Sequence, residues 1–245
     1  MKKIILFGCL ILITACQSVT PTPQIASTAT NTALPTQPEP ATATITFTPA
    51  PTFTPTPVPL YFTDEFSAPT IDAWTSFQTG GESTPTLAFA NDQLSVSISS
   101  PNTWYYAIHN AHEYTNVNVS AKFNGMPTGS LGVICRYSES GWYEYDVASD
   151  GTYTVLLGQW LADGIASYLP IANDSTEYLR PGSLDYEITL GCKENTLSLY
   201  INGKLFRNLN VTRYGLTEGK AGISISSIKE PMSGTFDWFK LSEPE

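Results

Sequence analysis

The sequence predicts an all-β domain over residues 61–245, a two-sheet sandwich of the jelly-roll kind. Three observations carry that prediction. Apolar residues alternate with polar ones in run after run, no stretch sustains the three-and-four spacing of an amphipathic helix, and turn signals recur at short intervals.

The runs can be taken in chain order. Leu94, Val96 and Ile98 alternate with Ser95, Ser97 and Ser99, so one face is apolar and the other is hydroxylated. Ile188 and Leu190 alternate with Glu187 and Thr189, and Leu197, Leu199 and Ile201 with Ser198 and Tyr200. Asn91-Asp92, Asp150-Gly151, Glu194-Asn195 and Asn202-Gly203 separate such runs. Asn-Gly is the strongest of these, because it supplies the two positive φ values of a type I′ hairpin. About twelve to fourteen strands fit this spacing. With so many strands and no helix, the core has to form between two sheets or inside a barrel. An immunoglobulin-like sandwich is the alternative, and 185 residues would overfill it.

Ahead of the domain lie two segments of different composition. Residues 1–16 begin with Lys2 and Lys3, continue through an apolar run from Ile4 to Ile13, and end in Ile13-Thr14-Ala15-Cys16. About 20 apolar residues are needed to cross a bilayer, so a run of this length suits a signal-peptide core instead. The closing tetrapeptide resembles a bacterial lipobox, in which Cys16 receives lipid and becomes the new N-terminus. Residues 17–60 hold 13 Thr and 10 Pro in 44 positions, with Glu39 as the single charge. Proline removes donors and fixes φ, and there is little to bury, so an unpacked linker is expected. The expected location is therefore extracytoplasmic, with contact to the membrane through the N-terminal lipid.

The charge balance excludes one class of partner. Residues 61–245 carry 10 Lys/Arg against 21 Asp/Glu, a net charge of −11, whereas a nucleic-acid binder needs a basic face. Of the four cysteines, Cys9 leaves with the signal peptide and Cys16 takes lipid. Cys135 and Cys192 remain, each on the apolar side of a strand, and an exported domain lets them form a disulfide. No Cys/His set has zinc spacing. His109 and His112 read as surface residues near a strand end.

The segment 129–157 carries the most chemistry. Strands Ser130–Ser138 and Trp142–Ser149, joined by Glu139-Ser140-Gly141, place Ser138 opposite Trp142 and Arg136 opposite Glu144. The core face then holds Val133, Cys135, Tyr143, Tyr145 and Val147. The other face holds Ile134, Arg136, Glu144 and Asp146, and the Asp150-Gly151 turn adds Tyr153, Val155 and Leu157 to it. A face that mixes rings, aliphatics, a guanidinium and carboxylates suits sugars, so Arg136, Glu144, Asp146 and Tyr153 are candidate ligand-binding residues. Trp104 and Trp160 are candidates to line the same groove. No Ser/His/Asp arrangement and no phosphate loop stands out, so no catalytic residue is assigned.

Several stretches together resemble the concanavalin A-like lectin/glucanase superfamily. The nearest branch is that of the 3-keto-disaccharide hydrolase-like domains related to glycoside hydrolase family 16. These stretches are Phe62-Thr63-Asp64-Glu65-Phe66, Gly132–Tyr137, Tyr143–Val147 with Asp150–Tyr153, Leu197–Gly203 and Gly222–Ile225. The resemblance implies two curved sheets with a concave, often sugar-binding face, and members can hold a structural calcium ion; no ligand set for one is evident here. The glucanases carry Glu-X-Asp-X-X-Glu on one strand. Here Ser149 stands where the last Glu belongs, which removes the proton donor that hydrolysis needs. The expectation is a lipid-anchored, non-catalytic carbohydrate-binding domain. A sugar-cleaving glycoside hydrolase is one alternative, and an adhesion module that binds protein, with residues 160–173 plugging the groove, is the other.

Overall fold

A computed structural model describes residues 57–67, 71–162 and 164–244. The chain divides into units 1–53 and 54–245, and every described residue belongs to the second. The expected signal and lipobox, Cys16 included, lie outside the described residues, as does the linker up to residue 56.

The domain is a sandwich of two antiparallel sheets with fifteen strands among the described residues, slightly more than the turn spacing predicts. Eight strands form the first sheet. They are β1 (Phe62–Asp64), β3 (Thr86–Phe89), β4 (Leu94–Ile98), β6 (Val117–Gly125), β11 (Tyr186–Lys193), β12 (Thr196–Ile201), β13 (Lys204–Asn210) and β15 (Met232–Ser242). Their order is β13-β12-β11-β6-β15-β4-β3, with β1 also on β15. The second sheet has seven: β2 (Trp74–Gly80), β5 (Thr103–His109), β7 (Gly129–Ser138), β8 (Gly141–Ala148), β9 (Thr152–Ala162), β10 (Ile165–Ser175) and β14 (Lys220–Ser227). They run in the order β10-β9-β8-β7-β14-β5-β2.

Alternation places the core where the sequence predicts it. Val119, Ala121 and Phe123 of β6, Ile188 and Leu190 of β11, and Leu197, Leu199 and Ile201 of β12 are buried from one sheet. Val133, Tyr143, Tyr145, Val147, Ile223 and Ile225 meet them from the other. Each of the larger aliphatic and Phe side chains contributes about 1.5–3 kcal/mol by leaving water. Cys135 on β7 and Cys192 on β11 are fully buried and joined by a disulfide, so the bond ties the two sheets together through the core.

The β7–β8 hairpin departs from the predicted register. Ile134, not Arg136, lies opposite Glu144, and Ser138 pairs with Gly141. The pairing is shifted by two residues, which preserves the faces of Val133, Cys135, Tyr143, Tyr145 and Val147. Arg136 is the exception. It sits at φ 54° in a bulge, where the pairing with β8 jumps from Cys135 to Ser138. A bulge breaks alternation. Tyr137 therefore joins the outer face beside Ile134, while Arg136 turns to the end of the sandwich. There its guanidinium donates to three backbone oxygens: Leu216 at 2.7 Å, Thr115 at 3.0 Å and Glu194 at 2.6 Å. Gly219 lies across the bulge, and a Cβ there would stand 2.5 Å from the Tyr137 oxygen.

Two further expectations are corrected. Tyr153, Val155 and Leu157 belong to the core and not to the outer face, because β9 pairs with β8 so that Tyr153 meets Val147 and Val155 meets Tyr145. The Tyr153 hydroxyl accepts a hydrogen bond from Arg207. His109 is buried rather than superficial, wedged between the rings of Phe62 and Trp74, and burial lowers its pKa.

Candidate functional site

The outer face of the seven-stranded sheet is strongly curved. A flat sheet of seven strands would set its edges about 29 Å apart. Here Tyr168 on edge strand β10 hydrogen-bonds through its hydroxyl to Thr79 on the opposite edge strand β2. The face has curled until its two margins touch.

Aromatic rings fill the space this creates. Phe77 stacks on Tyr106 at 4.6 Å and on Tyr137 at 5.3 Å, and meets Trp160 edge-on at 4.9 Å. Trp104 stacks on Tyr168 at 5.6 Å, and Trp142 touches Trp160 at 5.1 Å. Centroid separations of 4.5–7 Å are those at which ring pairs attract. Two glycines make room. Gly158 faces Trp142 across the β8–β9 pair, and a Cβ at 158 would lie 2.2 Å from the indole. A Cβ at Gly132 would lie 2.1 Å from Asp146 Oδ1.

Glu144 and Asp146 sit beneath these rings. They share the outer face, as predicted, but are 1% and 8% exposed. Tyr106 donates its hydroxyl to Glu144 Oε2 at 3.1 Å, Trp142 Nε1 donates to the same oxygen at 3.3 Å, and Ser224 donates to Asp146 Oδ1 at 3.0 Å. No cation accompanies the pair among the described residues. Burial raises the pKa of both carboxyls, and the neighbouring Glu144 charge and a hydrogen bond to Glu144 raise Asp146 further. Such a pair titrates as a unit. Both carboxyls are thus held toward the protonated form, Asp146 the more strongly, while Glu144 gathers the Tyr106 and Trp142 donors. Burial first, and the Glu144 charge second, also keep the Tyr106 phenol protonated.

This arrangement fixes a pH dependence. Both folded pKa values lie above the unfolded ones, so between them the folded state holds more protons. The stability this protonation gives is present at low pH and is lost as pH rises through the folded values. Asp146→Asn keeps a donor for Glu144 and an acceptor for Ser224 but carries no ionisable proton. Urea midpoints of variant and wild type should be close near pH 5, with the variant increasingly the more stable toward pH 9. A constant difference across that range contradicts the raised pKa of the pair.

The sequence-predicted residues are thus only partly assembled. Glu144, Asp146, Trp104 and Trp160 share the curved face; Arg136 and Tyr153 do not. The carboxyl pair is sealed, as is Trp142. What remains open is the end of the face where the β7–β8 turn, the residues before Tyr114 and the β9–β10 hairpin converge. A cleft of about 1000 Å³ lies there, lined by Phe77, Tyr137 and Trp160 with Gln78, Glu113, Glu139 and Lys220 among its polar groups. Phe77, Tyr137 and Glu139 were not predicted. The bulge that brings Tyr137 outward has no local sequence signal, and Phe77 sits in a strand whose two rings, Trp74 and Phe77, fall on opposite faces, so alternation alone does not orient it. A second cleft, about 560 Å³, lies beside β1 and is lined by Phe62, Asp64, Ala73, His109 and Asn110. No group of three His, Cys, Asp or Glu among the described residues is placed to hold a metal ion.

Two packed antiparallel sheets, the seven-stranded one curled into a concave outer face, give the fold of a concanavalin A-like jelly roll. No family model and no curated protein matches the chain. Solved structures do match. A Bacillus subtilis protein of unknown function with a galectin-like fold aligns at TM-score 0.56 and 12% identity, over 74% of this chain and 94% of that one. A prokaryotic β-1,3-1,4-glucanase (lichenase) derived from a mouse hindgut metagenome aligns at TM-score 0.54 and 10% identity, over 75% and 99%. The carbohydrate-binding module CBM66 of Bacillus subtilis aligns at TM-score 0.50 and 12% identity, over 66% and 91%.

Proposed function

We propose that the protein is a non-catalytic carbohydrate-binding domain, held at the outer side of a bacterial envelope through lipid on Cys16. The observation that carries the binding reading is the cleft itself. Three aromatic side chains of different strands line it, Phe77, Tyr137 and Trp160, with amide, carboxylate and ammonium groups around them. Rings take the apolar C–H faces of sugars, and planar polar groups take the hydroxyls. The similarity of the fold to a carbohydrate-binding module and to a glucanase adds support. Lys2, Lys3, the apolar run and Ile13-Thr14-Ala15-Cys16 support the anchor, and a cross-sheet disulfide is in keeping with an oxidising compartment.

Catalysis by Glu144 and Asp146 has little support. The pair is buried, burial pushes both carboxyls toward the neutral form, and Ser149 follows where a third carboxylate would be needed.

A glycan array of neutral, amino and acidic oligosaccharides tests the reading. The chain is expected to retain at least one class, and Trp160→Ala to weaken that binding by roughly tenfold or more, the loss of one ring–sugar stack. Absence of binding across the array, or full binding by Trp160→Ala with an unchanged thermal melt, overturns it.

A further inference from the structure

Resting on that reading, the charge of the cleft points to a ligand class: we propose that it prefers glycans bearing free amino groups, hexosamine units with an unblocked ammonium. Glu113 and Glu139 line the cleft on separate segments, both are exposed, and neither pairs with a cation among the described residues. Among the described lining residues Lys220 is the single cation, and its ammonium lies 3.4 Å from the side-chain oxygen of Asn110. The local balance is therefore negative, as is that of the whole domain, at −11 over residues 61–245.

Three ligand charges can be compared on this cleft. A uronate or sulfate sugar would bring its anion against two unpaired carboxylates, with one engaged lysine to offset them. A neutral sugar would use the rings and hydroxyl contacts alone. An amino sugar uses the same rings and adds an ammonium that the carboxylates attract. Its positive charge is also favoured near the faces of Tyr137 and Trp160. Each exposed charge pair contributes modestly, so the preference is one of degree and falls as salt screens it.

The test compares glucosamine tetrasaccharide with its fully N-acetylated counterpart, which has the same ring skeleton and no charge, on the full chain by calorimetry. The free-amine ligand is expected to bind roughly five-fold tighter at low salt. In Glu113→Gln/Glu139→Gln that ratio should fall to near one. In Trp160→Ala both ligands should weaken. A control variant, Glu82→Gln/Glu187→Gln, removes the same net charge away from the cleft and should keep the ratio. Equal affinities in the wild type overturn the charge preference and leave carbohydrate binding standing. Loss of the ratio in the control variant as well shows adsorption of a cation to an acidic protein and overturns the preference too. If neither ligand binds and the array is also blank, the underlying reading fails with it.

Discussion

Arg136→Ala is expected to cost about 3–5 kcal/mol of unfolding free energy, close to half the stability of an ordinary domain. The residue is 1% exposed, and its guanidinium hydrogen-bonds backbone oxygens of three separate segments: Thr115 before β6, Glu194 in the β11–β12 turn, and Leu216 before β14. Removing it leaves those oxygens facing a cavity without donors. The side chain holds its place even though its backbone is left-handed, a conformation that costs a non-glycine residue roughly 1 kcal/mol. The three bonds have to outweigh that strain. Arg136→Lys should recover little, because one ammonium cannot reach three divergent acceptors as a planar fork can. Urea unfolding of both variants checks this; a loss below about 1 kcal/mol for alanine contradicts the assignment of Arg136 as a structural clamp. Arg136 is thus a folding residue, and its substitution would report on ligand binding only through the loss of the fold.

The second large effect is that of the disulfide. Cys135 and Cys192 are 57 residues apart in sequence and lie on facing sheets. On the loop-entropy account, closing a loop of that length removes about 4 kcal/mol of freedom from the unfolded chain. Cys135→Ala/Cys192→Ala, or wild type kept in reductant, should lose stability of that order, read as a lower urea midpoint with a similar slope. Midpoints that coincide with and without reductant contradict it. Reduced Cys192→Ala and the reduced double variant should behave alike, since a lone buried thiol at 135 packs much as a small apolar side chain does.

The sequence was legible where side chains obey the strand period. Alternation identified the core faces of β4, β7, β8, β11 and β12, the turn pairs located the hairpins, and the apolar placement of Cys135 and Cys192 anticipated their bond. It was not legible where the backbone breaks that period. The Arg136–Tyr137 bulge exchanged an expected ligand-facing cation for a ring, and no residue in Cys135-Arg136-Tyr137 announces it. The partner signal, Gly219, lies on the approach to β14, far from the bulge in sequence. Tyr153 was misplaced because the parity of β9 depends on how many residues the Asp150-Gly151 turn absorbs, and one residue reverses every side chain. Curvature was the other hidden quantity. Period-two patterning says which residues share a face but not whether the face is open, so the burial of Glu144 against Tyr106 and Trp142, and of Asp146 beside it, could emerge only from the assembled sheet.

Location of the ligand is the most direct test of the account. The chain has five tryptophans, so five indole N–H signals report on it: Trp160 in the cleft, Trp104 and Trp142 on the same curved face, and Trp74 and Trp238 away from it. Titrating the indole-labelled chain with the tightest glycan from the array should shift the Trp160 signal most and leave Trp74 and Trp238 in place. A largest shift at Trp74, which packs beside His109 in the wall of the second cleft, with Trp160 unmoved, would put the ligand elsewhere and contradict the assignment of the site.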